Sequence, residues 1–256
     1  MFTNAIVRKP GQNFVHGLTS SSLGAPDYNK AQQQHRRYCE ALVRCGLRVT
    51  HLGADLQHPD STFVEDTAVL TSRSAILTRP GATSRQGEVA TIREPLEHFF
   101  STLYRINAPG TLEGGDVCQA ENHFFIGLSQ RTNEEGARQL AEFLAREGYT
   151  SSFIDIRRIE GLLHLKSEMA YIGDNNLVAI EALAGNDQFR GYNLIRVNSG
   201  ESYAANCVRA NDYVLLPAGY PAQEATLGQR GYKVLPLDVS EFQRMDGGLS
   251  CLSLRF

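Results

Sequence analysis

Phe63–Pro80 reads FVEDTAVLTSRSAILTRP: an apolar stretch, a polar turn at Ser72-Arg73-Ser74, and a second apolar stretch. Its β-branched residues and central turn predict a hairpin. The plan recurs at Leu112–Leu128, turning at Glu121-Asn122-His123, and at Leu163–Ile180, turning at Asp174-Asn175-Asn176. Tyr203–Gly219 is a fourth copy, turning at Ala210-Asn211-Asp212. Leu249–Phe256 supplies one strand only, and Asn4–Arg8 is placed to pair with it and complete a fifth unit.

Helical patterns follow most hairpins. Asn133–Glu147 is the clearest, with Leu140, Phe143 and Leu144 on one face and Thr132 or Asn133 as N-cap. Tyr28–Cys45 follows the N-terminal strand, while Glu88–Phe100, interrupted by Pro95, and Gln223–Gly231 are weaker. Further strands are predicted at Arg48–Leu52, Ser152–Ile156 and Lys233–Leu237. The unit is thus strand, strand, helix, strand, repeating within the range of propellers and solenoids. The expected fold is α/β, a five-bladed ββαβ propeller with pseudo-fivefold symmetry; an open mixed sheet is the alternative. Closing a ring protects sheet edges, and pairing the first strand with the last fastens it. No Pro- or Ser-rich linker separates the modules, so residues 1–256 are read as a single domain.

The repeat also aligns chemistry. Equivalent places near the first strand of each unit hold Asp66, Asp116, His164, Asn206 and Cys251, separated by 50, 48, 42 and 45 residues. In a ring, such positions face one axis, so a carboxylate, an imidazole and a thiol would meet in one pocket.

Bulk properties narrow the function. The 256 residues are 42% hydrophobic with net charge −3, which supports a folded core and argues against nucleic-acid binding, where a basic stripe is usual. No apolar run is long enough to cross a membrane, and Met1–Pro10 lacks the pattern of a signal peptide. The five cysteines form no C-x-x-C pair, so neither zinc nor a redox motif is suggested, and a reduced, cytoplasmic protein is expected. A homodimer is compatible with the sequence.

Each candidate group has an ordinary alternative. Cys251 follows two glycines in DGGLSCL, where the backbone can bend sharply and a ligand can approach closely. A thiol with a pKa of about 8.5 gains nucleophilicity beside a cation, although buried cysteines are most often structural. That ordinary role suits Cys39 and Cys45 in a helical segment, and Cys118 and Cys207 in strands. His164 interrupts an apolar run and is either a satisfied core histidine or a proton carrier near neutral pH. The other histidines sit at turns or polar faces. Asp60, Glu65 and Asp66 in HPDSTFVED, with Glu113 and Asp116 in PGTLEGGD, crowd acids at the entrance of buried strands. A solvated turn or salt bridge is the ordinary role and suits Asp60 taken alone, whereas Glu65, Asp66 and Glu113 suit a cation site, with Mg²⁺ or Ca²⁺ as the rival occupant. Arg85 and Arg131, just past second strands, suit bidentate capture of a carboxylate.

Along essentially its whole length the chain resembles the dimethylarginine dimethylaminohydrolases of the guanidino-modifying superfamily. The resemblance rests on GLTSSSLGAPDY, PDSTFVED, LTRPG, SRQGE, APGTLEGGD, IGLSQRTNEEGARQ, LLHLKS, NNL, ESYAANC, LPAGYP and MDGGLSCLSLRF, in that order and spacing. It implies the five-bladed ββαβ propeller, Cys251 as nucleophile, His164 as general acid and base, and Glu113 as the carboxylate working with His164. It further implies that Asp66 holds a guanidinium, that Asp60 and Glu65 add polar contacts, and that Leu18 lies in a loop over the amino-acid end of the substrate. Arg85 and Arg131 would bind the α-carboxylate of a methylated arginine, and no metal or cofactor would be needed. Thr67-Ala68 and Gln86 are departures that could tune the site. The competing activities are arginine deimination, amidino transfer, or binding without catalysis; a deiminase would carry an inserted helical domain for which the chain has no room.

Overall fold

The computed structural model describes residues 1–256. In chain order the elements are β1 (Asn4–Arg8), α1 (Tyr28–Arg44), β2 (Arg48–Leu52), β3 (Ala68–Leu70), β4 (Ala75–Leu77), α2 (Ala90–Glu97) and β5 (Leu103–Arg105). They continue with β6 (Val117–Ala120), β7 (His123–Leu128), α3 (Glu134–Arg146), β8 (Thr150–Asp155), β9 (Met169–Tyr171), β10 (Asn176–Ile180), α4 (Glu181–Ala184) and β11 (Asn193–Val197). β12 (Val208–Ala210), β13 (Tyr213–Pro217), α5 (Pro221–Gln229), β14 (Lys233–Leu237), α6 (Ser240–Gln243) and β15 (Leu254–Arg255) complete the chain. No helix is long and apolar enough to cross a membrane.

The strands form five three-stranded sheets, one for each repeat. In every sheet the middle strand pairs antiparallel with its hairpin partner and parallel with the strand after the helix, as β7 does with β6 and β8. The fifth sheet has the same plan from opposite chain ends: β1 runs antiparallel to β15, with Ile6 opposite Leu254, and parallel to β2.

Contacts divide the chain into two units, residues 1–64 with 167–256, and residues 65–166. The second unit contains sheets β3-β4-β5 and β6-β7-β8. Its core joins Ile76, Ile106, Leu112, Phe124 and Ile126 to Leu140 and Leu144 of α3. The first unit contains the other three sheets. Phe14, Phe63 and Phe242 interleave there at centroid distances of 5.4–6.3 Å around Tyr38, Leu42 and Leu249. A separate cluster joins Val178, Ile195, Val214 and Leu227.

Local chemistry sets the joints. Asp27 and Asn133 cap α1 and α3, accepting from the N–H groups of Lys30 and Gly136. After α1, α3 and α5 the chain stops on Gly46, Gly148 and Gly231, each with φ near +90°, and turns into a strand. The next N–H reaches back to Leu42, Leu144 and Leu227 respectively. That arrangement satisfies helix-end carbonyls and favours glycine because a Cβ crowds the left-handed region.

Several expectations need correction. The apolar segments before the first strands are not strand throughout. Val64–Thr67, Gly114–Asp116, Leu165–Ser167, Ser199–Ala205 and Ser250–Leu252 are 3-10 turns, and only short strands follow. The weak helical stretch Glu88–Phe100 begins as a 3-10 turn, Thr83–Val89, and carries Pro95 inside α2. Strands β5 and β11 lie outside the segments whose pattern predicts a strand. Cys207 precedes β12 rather than lying in a strand. His35 is buried on α1, where desolvation pushes its pKa down to about 4.

Candidate active site

The 3-10 turns and the residues that open them carry the chemistry. In the 65–166 unit, the turn Val64–Thr67 presents Glu65 and Asp66, both buried. Asp66 Oδ1 accepts from the Gly115 N–H at 2.8 Å, and Oδ2 accepts from Arg85 Nη1 at 2.7 Å. The glycine pair is sterically required. A Cβ on Gly114 would stand 2.0 Å from the Glu65 carbonyl oxygen, and one on Gly115 would stand 2.7 Å from His164 Nδ1.

His164 and Glu113 form the central pair. Nε2 of the imidazole lies 2.7 Å from Glu113 Oε2; Glu113 is fully buried and His164 is 5% exposed. The second carboxylate oxygen accepts from the Ala82 N–H at 3.3 Å and lies 3.6 Å from Arg131 Nη1. Burial alone would lower the pKa of His164. Asp66, the Glu113 hydrogen bond and Asp116 outweigh it and raise the value to about 9. Burial likewise opposes ionisation of Glu113, but His164, Arg85 and Arg131 hold its pKa well below the usual carboxylate range. Both shifts favour an imidazolium paired with a carboxylate.

Other charges are paired too. Glu65 Oε1 accepts from Lys166 Nζ at 2.6 Å. Arg85 is 5% exposed, and Glu88 grips its Nε and Nη2 at 3.1 and 2.9 Å. Arg85 thus lies between two carboxylates, whereas the Arg131 side chain is 20% exposed. Asp66, Glu113 and His164 offer ligand atoms within 4.8 Å of one another, the right donor types for a divalent ion. A metal would require neutral imidazole and would displace the donors already on both carboxylates.

In the other unit, Cys251 is 9% exposed on the turn Ser250–Leu252. The Gly248 N–H donates to its sulfur at 3.4 Å. Tyr203 Oη donates to the Gly247 carbonyl at 2.7 Å, and Asn206 Oδ1 accepts from the Ser250 N–H at 3.0 Å. A Cβ on Gly247 would come within 2.2 Å of the Phe63 ring, and one on Gly248 within 2.5 Å of Asn206. All five cysteines are free thiols, and burial pushes Cys39 and Cys45 up to about 12 and 11. Asp60 accepts from the Leu18 N–H with both oxygens at 3.0 and 3.2 Å, while the Leu18 side chain stays 44% exposed. Ser20 in the same loop donates from N to Asp246 at 2.6 Å.

Of the residues expected from sequence, Asp66, Glu113, His164 and Arg85 are gathered in one unit, with Glu65 and Arg131 at its margins. Asp60 and Leu18 meet in the other unit. Sequence reading missed Glu88 and Lys166 as charge partners, and Tyr203 and Asn206 as supports of the Cys251 turn. The i, i+3 spacing of Arg85 and Glu88 was a usable signal; the remaining pairings leave none in a linear pattern.

A family model described as N,N dimethylarginine dimethylhydrolase, eukaryotic, matches residues 25–252. The N(G),N(G)-dimethylarginine dimethylaminohydrolase of Pseudomonas aeruginosa is 47% identical over 100% of both chains. One from Streptomyces coelicolor is 29% identical over 98% of this chain and 96% of its own. A solved Pseudomonas aeruginosa structure, a cysteine-to-serine mutant complexed with citrulline, superposes with a TM-score of 0.97 at 46% identity, covering all of both chains. The N-terminal domain of a cyanobacterial arginine dihydrolase shares the fold, with a TM-score of 0.89 at 17% identity over 100% of this chain and 97% of its own.

Proposed function

This chain belongs to the dimethylarginine dimethylaminohydrolase family, and on that footing we propose that it hydrolyses N-ω-methylated arginines to citrulline and an alkylamine. The observation that carries the reading is the buried His164–Glu113 ion pair beside Asp66. A protonated imidazole held by a carboxylate can give a proton to a departing amine, and Asp66 is a hydrogen-bond acceptor for a flat cation.

In this reading Asp66 receives the substrate guanidinium, with Glu65 and Asp60 as further polar contacts. Arg131 and Arg85 receive the α-carboxylate, Arg85 giving up its hold on Asp66 as the substrate guanidinium takes that place, and the Leu18 loop covers the amino-acid end. Positive charge on the substrate favours the thiolate of Cys251. The sulfur adds to the guanidino carbon, forming a C–S bond and a tetrahedral centre. Collapse expels dimethylamine or methylamine, which takes its proton from His164. Water then adds to the S-alkylthiouronium while neutral His164 accepts its proton. Breaking the C–S bond returns the thiolate, the hydroxyl proton passes to solvent, and neutral citrulline leaves without the side-chain charge that held the substrate.

The reading takes residues 1–256 as one domain, acting in the cytoplasm on a small molecule. Sedimentation analysis decides between a monomer and the homodimer compatible with the sequence. The direct test is incubation with dimethylarginine, monomethylarginine and arginine, measuring citrulline and the amine released. Turnover of methylated substrates above arginine is expected; equal or faster turnover of arginine would overturn the assignment in favour of deimination. His164→Ala is expected to remove the activity.

A further inference from the structure

Asp116 has no part in that chemistry, yet it is fully buried and each hydrogen bond it accepts leads to a candidate group. Oδ2 accepts from Ser129 Oγ and Thr132 Oγ1, both at 2.6 Å, and Oδ1 accepts from the Leu165 N–H at 3.0 Å. Leu165 follows His164. Thr132 Oγ1 in turn accepts from the Glu113 N–H at 3.1 Å. Ser129 Oγ accepts from the Arg131 N–H at 2.9 Å and the Thr132 N–H at 3.0 Å. One carboxylate therefore reaches the backbone of Glu113 and Arg131 through a hydroxyl each, and that of His164 through the adjoining peptide.

Three features support a dedicated role. Asp116 closes the turn Gly114–Asp116, so its side chain projects from the segment that already carries Glu113. Gly127 makes room for it, since a Cβ there would stand 2.9 Å from Asp116 Oδ1. Three donors converge on an acid whose pKa burial raises even with them in place, and hydrogen bonds in a dry site are strong.

We infer that Asp116 is a positioning residue that holds His164, Glu113 and Arg131 in one frame. The inference deepens the proposed function and rests on it. Asp116 touches no reacting atom; it acts through Ser129, Thr132 and Leu165. Its negative charge also faces His164, together with Asp66 from the turn Val64–Thr67 and Glu113 from its own turn. Arg85 and Arg131 face Glu113, and Lys166 lies on the segment of His164 itself.

Three substitutions at two positions and two readouts test this. Thr132→Val removes the hydroxyl shared by Asp116 and Glu113 while keeping the side-chain shape, and Thr132→Ser restores it. Asp116→Asn keeps size and an acceptor for Leu165 while removing the charge. Thr132→Val and Asp116→Asn are expected to lower kcat on dimethylarginine about tenfold or more with KM changed less than about threefold, the split for a loss confined to the transition state. Thr132→Ser is expected to retain the wild-type kcat. NMR titration of the His164 imidazole, which needs no turnover, is expected to shift to lower pH in Asp116→Asn. An unmoved titration in folded Asp116→Asn would overturn the inference, as would a wild-type kcat in Thr132→Val. Should Asp116→Asn fail to fold, the Thr132 pair decides. Should the wild-type protein leave methylarginines intact, the functional reading fails while the titration still judges the placement of the imidazole.

Discussion

His164 is held by charge, and Cys251, in the other unit, is held by shape. Around the imidazole, Asp66 meets Arg85, Glu113 meets His164 and Arg131, Glu65 meets Lys166, and Glu88 grips Arg85. Around the sulfur the supports are a glycine pair, a phenol, an amide and a phenyl ring. Buried charges need partners, so removing one strands another. A close-packed turn needs only that nothing larger be inserted. The proton carrier should thus be sensitive to charge and pH, and the nucleophile turn to volume.

The largest effect expected is loss of the sulfur itself. Cys251→Ser should lower citrulline formation on the order of 10³-fold or more, as loss of an activated nucleophile does, with the thermal midpoint nearly unchanged. Retained turnover would break the comparison, leaving the sulfur with packing alone. Next comes Glu113→Gln. It should reduce kcat on the order of 10²-fold and move the alkaline limb of the pH profile to lower pH, because the charge that raises the His164 pKa is gone. A pH profile that kept its wild-type limbs would show that the imidazole does not depend on this partner.

Volume is tested at the glycines. Gly247→Ala should destabilise the protein by about 1–3 kcal/mol in urea unfolding, the usual range for overpacking, because the new methyl meets the buried Phe63 ring. Gly200→Ala, in open space, should change nothing measurable. Equal effects at both positions would remove the claim that shape holds the nucleophile turn. The smallest effect concerns stability against pH. Folding raises the His164 pKa to about 9, so its proton is bound more tightly than in the unfolded chain, where imidazole titrates near about 6.5. The resulting stabilisation is full below about 6.5 and is lost as pH rises through about 9. Subtracting the unfolding free energy of His164→Gln from that of the wild-type protein at each pH should reveal that decline; a flat difference would contradict the ion pair.

Much of the framework was legible because it is periodic. Asn4–Arg8, Arg48–Leu52 and Lys233–Leu237 are strands with the bounds expected from pattern alone, and Asn133 caps α3. The missed strands have weak patterns: Leu103–Arg105 has three residues, none buried, and Asn193–Val197 is interrupted by the polar Asn193 and Arg196. The misread segments are the 3-10 turns. Their apolar residues, such as Val64 and Leu165, are buried without a strand ladder, so composition imitates a strand that the backbone does not form. His35 was misjudged because a helix residue's exposure depends on what covers it, here the ring of Phe242 at 6.5 Å.

The amino-acid sequence by itself determined the five-unit plan, the helix stops, and the spacing that puts Asp66, Asp116, His164, Asn206 and Cys251 shortly before the first strand of each sheet. These follow from backbone geometry and apolar periodicity, which act over a few residues and repeat. Tertiary structure alone decided which charges meet. Lys166 and Glu65 lie 101 residues apart in the chain yet 2.6 Å apart in space, and Glu113 finds His164 across 51 residues. Such pairings depend on which turns the folded backbone brings within hydrogen-bond reach, a condition of a few tenths of an ångström that no linear pattern encodes.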